Sequence, residues 1–160
     1  MGSTSDLPVM EKACKWLDDN EIPFEVNALS AHRTPDAVEA FAKGAQERGI
    51  KVIIAAAGMA AALPGVIAAS TNLPVIGVPI KGMLDGLDAM LSIIQMPPGI
   101  PTATVGVNAA QNAAILAAQI IGLSDSAVAA KVAAYKAGLG AKIEKANKDL
   151  AEVKYNFKTN

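Results

Sequence analysis

Apolar positions along this chain follow two periods in turn. From Leu7 to Asp19, the residues Val9, Met10, Ala13, Cys14, Trp16 and Leu17 recur at steps of three and four. That spacing predicts a helix, with Asp6 as its N-cap and Pro8 just inside its start. The run Ile22–Leu29 (IPFEVNAL) reads as a strand. Thr34 then caps a second helix that ends at Gly49, with Pro35 at its first position and Val38, Phe41, Ala42 and Ala45 facing inward. Two continuous apolar runs, Lys51–Gly58 (KVIIAAAG) and Leu73–Ile80 (LPVIGVPI), read as strands buried on both faces. A short small-residue helix, Ala61–Ser70, lies between them. A helix over Leu84–Ile94 and a strand over Pro101–Val107 follow. Asn108–Leu123 is apolar almost all round, which predicts a helix covered on every side and, in a short chain, covered partly by another subunit. From Asp125 to about Leu150, a stripe of Val128, Val132, Tyr135, Leu139, Ile143 and Leu150 faces away from lysines, and the residues onward to Asn160 are polar and expected to be loosely held.

Strands alternating with helices predict an α/β fold, a three-layer α/β/α sandwich on a parallel sheet. Residues 1–160 read as one domain, with about 124–160 as a C-terminal helical extension. Ligands in such sheets sit beyond the carboxyl ends of the strands. That rule gathers Ser30–Arg33, Gly58–Ala62 and Ile80–Asp85 on one rim, and the opening MGSTSD joins them if a strand precedes it.

Charge and composition then narrow the function. With a formal net charge of −1 and no Lys/Arg cluster, the chain lacks the electrostatics for nucleic acid or an anionic membrane. No apolar run is long enough to cross a bilayer, and the N-terminus has no basic-then-apolar leader, so a cytoplasmic protein is expected. The single cysteine, Cys14, fits a reducing compartment and sits on the apolar stripe, where it reads as a small buried hydrophobe. Aromatic residues make up only 4% while alanine is abundant, so elements can approach closely but fill little volume; neighbouring subunits are expected to complete the apolar surface.

The candidate chemistry is concentrated in two short motifs. Gly2-Ser3-Thr4-Ser5-Asp6 at a helix start offers free backbone N–H groups and hydroxyls, a setting that suits phosphate, while Asp6 can accept from ribose hydroxyls. In isolation it is more readily read as a plain capped helix start. Ser30-Ala31-His32-Arg33-Thr34-Pro35 is more specific. Arg33 carries a planar fork matched to phosphate, and His32, the chain's only histidine, is the residue type whose ordinary pKa lies near neutrality. Gly58 and the alanines after it can shape a pocket wall but cannot move protons. Lys81, Asp85 and Asp88 are polar candidates more easily read as solvated surface. No metal-ligand spacing, Walker A or GxGxxG motif occurs, so no metal and no cofactor is expected.

Taken in order, GSTSD (Gly2–Asp6), SAHRTP (Ser30–Pro35), VIIAAAGMAAALPG (Val52–Gly65), LPVIGVPI (Leu73–Ile80) and the stretch Leu84–Gly122 resemble the PurE family of de novo purine biosynthesis. The resemblance implies a flavodoxin-like sandwich assembled as a homo-octamer with sites at subunit contacts. It implies a class I mutase that converts N5-carboxyaminoimidazole ribonucleotide to 4-carboxy-5-aminoimidazole ribonucleotide by decarboxylation and recarboxylation, without a cofactor. On that resemblance His32 falls on the catalytic histidine, and Ser3, Asp6 and Arg33 fall on substrate-binding positions; Ser5 and Ser30 share their loops, and Gly58 belongs to the pocket wall.

Two departures stand out. Ala62 occupies the place of a second histidine and Met59 the place of a glycine, which puts any second-histidine role in doubt. Family members also carry a short apolar strand before the GSTSD turn, central in a 2-1-3-4-5 sheet. The expectation is therefore that the chain as given starts late; a chain truly beginning at Met1 should fold weakly and have little activity. Two alternatives stay open: a class II carboxylase taking the unsubstituted ribonucleotide and carbon dioxide directly, disfavoured by Arg33, and a nucleotide-binding module without catalysis.

Overall fold

The computed structural model describes residues 1–160. Helix α1 (Leu7–Asp19) forms where the first apolar stripe predicted it, and its inward face carries Met10, Ala13, Trp16 and Leu17. Helix α2 (Pro35–Gly44) is shorter than expected, because its last turn loosens into a series that closes at Gly49, where φ is +85°. Strand β1 (Ile53–Gly58) is followed by helix α3 (Leu63–Ser70), strand β2 (Val75–Ile80), helix α4 (Leu87–Ile94) and strand β3 (Ala103–Thr104). Helices α5 (Ala110–Gly122) and α6 (Ser126–Glu152) complete the chain.

The sheet is parallel, in order β1-β2-β3, with Ile53 opposite Val75 and Gly58 opposite Ile80. Each face carries its own core. On one side α1, α5 and the first turns of α6 bury Trp16, Ala113, Ala117 and Val132 against Ile76 and Val78. On the other, α2, α3 and α4 bury Val38, Ala42, Ile67 and Ile93 against Ile53, Ala55 and Val75. This is the flavodoxin-like α/β/α sandwich that the pattern and the resemblance led to. Its alanines allow close layers: at Gly77 even one added carbon would lie 2.3 Å from the Ile93 side chain.

Two predicted strands come out differently. Ile22–Leu29 forms no strand, although it runs beside the sheet. A strand needs a partner for its backbone groups, and here only Met1 supplies one. The Met1 amine donates to the Asn27 carbonyl at 2.9 Å, and the Leu29 N–H donates to the Met1 carbonyl at 2.8 Å. The predicted strand Pro101–Val107 shrinks to Ala103–Thr104; beyond it Val105 still donates to Gly77, but the chain turns at Gly106. Helix α4 begins at Leu87 rather than Leu84, since Leu84, Asp85 and Gly86 all have positive φ. Helix α5 begins at Ala110 rather than Asn108, whose φ is +57°.

Helix α6 divides in two. Val128, Val132 and Tyr135 pack on the core, with the Tyr135 ring edge-on to Trp16 at 5.4 Å and its hydroxyl accepting from Gln111 Nε2 at 2.9 Å. Farther along, Leu139, Ile143 and Leu150 are exposed. No helix is long and apolar enough to cross a membrane.

Candidate active site

Two turns meet at the carboxyl rim of the sheet. The first hangs on β1: the Gly2 N–H donates to the Ala56 carbonyl at 3.1 Å. Ser3 then caps a single 3-10 turn, Thr4–Asp6. Its hydroxyl accepts from the Ser5 N–H at 3.3 Å, while its own N–H donates to Asp6 Oδ2 at 3.2 Å. This reciprocal pair is a capping box. The Ser5 hydroxyl donates to Asp6 Oδ1 at 3.4 Å, and Asp6 is only 8% exposed. Asp6 was expected to cap α1 with its side chain, and it does not. Its backbone is already helical, at φ −85°, and its carboxylate is turned back to hold Ser3.

The second turn is Ala31–Arg33. The Ser30 hydroxyl accepts from the Arg33 N–H at 3.2 Å and from Arg33 Nε at 3.3 Å. Thr34 does not cap α2 with its hydroxyl as expected; Oγ1 instead accepts from the Ser30 N–H and donates to the Ser30 carbonyl, both at 3.1 Å, so it tightens the turn itself. The contact that joins the two turns is Arg33, whose terminal nitrogen donates to the Gly2 carbonyl at 3.1 Å. A guanidinium has five N–H donors, so bonds to Ser30 and Gly2 orient the fork while leaving donors for an anion. His32 directly precedes Arg33 in sequence and is exposed, with its ring free of hydrogen bonds.

The rest of the rim comes from β1 and β2. Gly58 closes β1 opposite Ile80, and a Cβ there would lie 3.4 Å from the Ile80 carbonyl oxygen. Met59 follows with φ +55° and its side chain 63% exposed, a conformation that suits glycine and strains methionine. Ala62 sits at the start of α3 and offers it no side-chain cap. After β2, the Lys81 ammonium pairs with Asp85 at 2.9 Å, both well exposed, in keeping with a solvated surface. The loop from Leu84 to Gly86 stays left-handed through three consecutive residues, at φ 47°, 54° and 89°. Such strain gathers at binding sites, where the surrounding structure holds it.

Sequence reasoning missed Asn108. Its side-chain carbonyl accepts from the Lys81 N–H at 2.9 Å and its N–H donates to the Pro79 carbonyl at 2.8 Å, fastening the β2 rim to the start of α5. The available signal was asparagine's tolerance of positive φ just after a strand-like run. No group of three or more His, Cys, Asp or Glu residues stands close enough to hold a metal ion.

The ordered motifs and this rim find their counterpart among known proteins. The family model described as AIR carboxylase matches residues 1–142. The chain belongs to the AIR carboxylase family. A relative from Pyrococcus abyssi named N5-carboxyaminoimidazole ribonucleotide mutase is 56% identical over 137 residues, spanning 85% of this chain and 79% of the relative. A Saccharomyces cerevisiae protein named phosphoribosylaminoimidazole carboxylase is 57% identical over 133 residues, which cover 82% of this chain but only 23% of that much longer protein. Among solved structures, Treponema denticola PurE superposes with a TM-score of 0.82 at 31% identity, with 94% of each chain covered. The likeness therefore extends from the rim motifs to the whole sandwich.

Proposed function

We propose that this chain is the mutase of de novo purine biosynthesis that moves a carboxylate from the exocyclic nitrogen of N5-carboxyaminoimidazole ribonucleotide to ring carbon C4, giving 4-carboxy-5-aminoimidazole ribonucleotide. The observation that carries this reading is the Arg33 bridge between the GSTSD and SAHRTP turns. It makes one anion-binding rim of two motifs far apart in sequence, inside a family whose close relatives are named for that reaction.

Each step has a residue suited to it. The Ser3 turn and Arg33 take the substrate's phosphate, supplying binding energy away from the reacting centre. Asp6 accepts from a ribose hydroxyl, and the Ser3 and Ser5 contacts hold its carboxylate in place. Ser30 aims Arg33, and Gly58 leaves the wall open for the ring. As the N–CO₂ bond breaks, carbon dioxide leaves and His32 delivers a proton to the nitrogen. C4 then attacks the same carbon dioxide, and His32 recovers the proton that C4 loses. The sum is an isomerisation, with no net proton uptake and no cofactor. Confining the carbon dioxide gives it a high effective concentration, a task suited to the small-residue wall Gly58–Ala62.

The reading includes a single domain over residues 1–160, a homo-octamer and a cytoplasmic setting. The exposed apolar residues of α4 (Leu87, Leu91 and Ile94) and of outer α6 (Leu139, Ile143 and Leu150) support assembly with further copies. A phosphorylated, membrane-impermeant substrate and the single cysteine support the cytoplasm.

Turnover of the N5-carboxy substrate by wild type and His32→Asn tests the mechanism. Loss of general acid–base catalysis should lower kcat by about 10²–10⁴-fold with ribonucleotide binding retained; unchanged turnover removes His32 from the reaction. The fungal relatives named carboxylase favour the second reading, direct carboxylation of the unsubstituted ribonucleotide. Turnover only with that compound and carbon dioxide would establish it in place of the mutase.

A further inference from the structure

Five residues other than glycine have positive φ, and four of them stand at the carboxyl rim: Met59 after β1, Leu84 and Asp85 after β2, and Asn108 before α5. Two of the four are readily explained. Asparagine and aspartate tolerate the left-handed region; Asn108 fastens Lys81, and Asp85 pairs with the Lys81 ammonium. Methionine and leucine are strained there, and both side chains are left in the open, Met59 at 63% and Leu84 at 73% exposure.

The surrounding backbone holds both in that state. Beyond Met59, the Ala61 N–H donates to the Met59 carbonyl at 2.9 Å and the Ala62 N–H to the Ala60 carbonyl at 2.7 Å. Bonds between residues two apart make tight γ-turns, and Ala61 and Leu63, each 2% exposed, root them in the core. Around Leu84, the Gly86 N–H donates to the Met83 carbonyl and the Leu87 N–H to the Leu84 carbonyl, both at 3.0 Å. Strands β1 and β2 are neighbours that end level, Gly58 opposite Ile80. The two turns therefore leave the sheet side by side, about 5 Å apart at their roots. Strain of this kind persists where it serves a site, and here it presents two apolar side chains at one rim.

The use of such a pair follows from the mutase reading of the rim, on which this inference rests. When the N–C bond to the carboxylate breaks, its electron pair stays on nitrogen, which takes a proton from His32, and carbon dioxide is set free. Capture forms the C–C bond at C4 and returns the C4 proton to His32. Escape instead leaves the unsubstituted ribonucleotide and carbon dioxide, and His32 regains its proton from solvent. Carbon dioxide is uncharged, and Ala60, Ala61 and Ala62 have no polar side chain to hold it. The Ala61 and Ala62 N–H groups are already used in the γ-turns. Retention on this wall must therefore come from closing it off.

We infer that Met59 and Leu84 form an apolar cover over the reacting end of the ribonucleotide, keeping the freed carbon dioxide beside C4 and water away from it. The phosphate end needs no such cover, because Arg33 and the Ser3 turn hold it by charge and hydrogen bonds.

The test supplies substrate carrying ¹³C in its N5-carboxylate, in buffer equilibrated with unlabelled carbon dioxide and containing carbonic anhydrase to convert whatever escapes. Mass spectrometry reads how much C4-carboxylated product keeps the label and how much unsubstituted ribonucleotide forms above the enzyme-free rate. Wild type should keep the label. The double variant Met59→Gly, Leu84→Gly relieves the strain, so it should melt no lower than wild type. It should raise the ratio of escaped to transferred carboxylate at least about tenfold, with KM little changed because the phosphate contacts remain. Met59→Leu, Leu84→Met keeps two apolar side chains of similar size and should hold the wild-type ratio. A wild-type ratio in the glycine variant overturns the cover. Equal escape from the conservative variant does so too, because the turns rather than their side chains would then be responsible, as does escape from a glycine variant that melts well below wild type. Failure of the mutase reading looks different: wild type then forms no C4-carboxylated product from the N5-carboxy substrate, which removes the reaction and this cover with it.

Discussion

The two edges of β1 differ sharply, although one strand makes both. Toward β2 the ladder runs from Ile53 to Gly58 without a break, and Ile76 and Val78 behind it are fully buried. Toward Ile22–Leu29 only the Gly2 to Ala56 bond is made, and the opposite wall leaves Phe24 and Val26 half exposed. Both flanks have strand-forming sequences. The contrast shows that an apolar, β-branched run becomes a strand only when a neighbour satisfies its backbone.

The largest test of that contrast is truncation on each side. Ile76→Ala on the closed side should cost about 2–5 kcal/mol, while Val26→Ala on the open side should cost under about 1 kcal/mol. Denaturant midpoints decide, and equal losses would mean that the open wall is packed after all. Overpacking the closed side comes next. Gly77→Ala drives a methyl into Ile93 and should destabilise by about 1–3 kcal/mol through displacement of α4 from β2; a neutral result would show that α4 is free to shift.

Smaller effects should come from strain and from the Met1 amine. Met59 is left-handed where β1 ends, so Met59→Gly should stabilise the fold by about 1 kcal/mol, read as a higher melting temperature with the sheet unchanged. The Met1 amine gives the smallest effect. Its pKa is lowered in the folded chain, chiefly by burial, so between that folded value and the ordinary value near 8 the unfolded chain binds more protons. Stability should therefore rise with pH across that window and level off above it. Acetylating the amine should abolish this part of the pH dependence; a slope that survives acetylation assigns it to another group.

Much of this was legible in the residues. The stripe of α1, the buried runs of β1 and β2 and the amphipathic α6 all came from spacing, because burial on one face or on two leaves a periodic mark. The GSTSD and SAHRTP turns announced themselves by composition. Asp6 and Thr34 stand at the N-cap positions the sequence predicted, but neither side chain caps its helix, because a short polar side chain chooses its partner by local geometry; Asp6 turned to Ser3 and Thr34 to Ser30. Asn108 escaped notice because its role lies in a contact with Lys81, distant in sequence.

The sequence by itself determined the class of fold, the core faces of the helices and the residue types able to hold a phosphate or move a proton, since each follows from local period and chemical identity. Tertiary structure decided that Arg33 reaches Gly2, that the rim closes around Asn108, and that Ile22–Leu29 forms no strand. Those outcomes depend on which backbone groups meet across the sheet, and no single stretch of chain contains both partners.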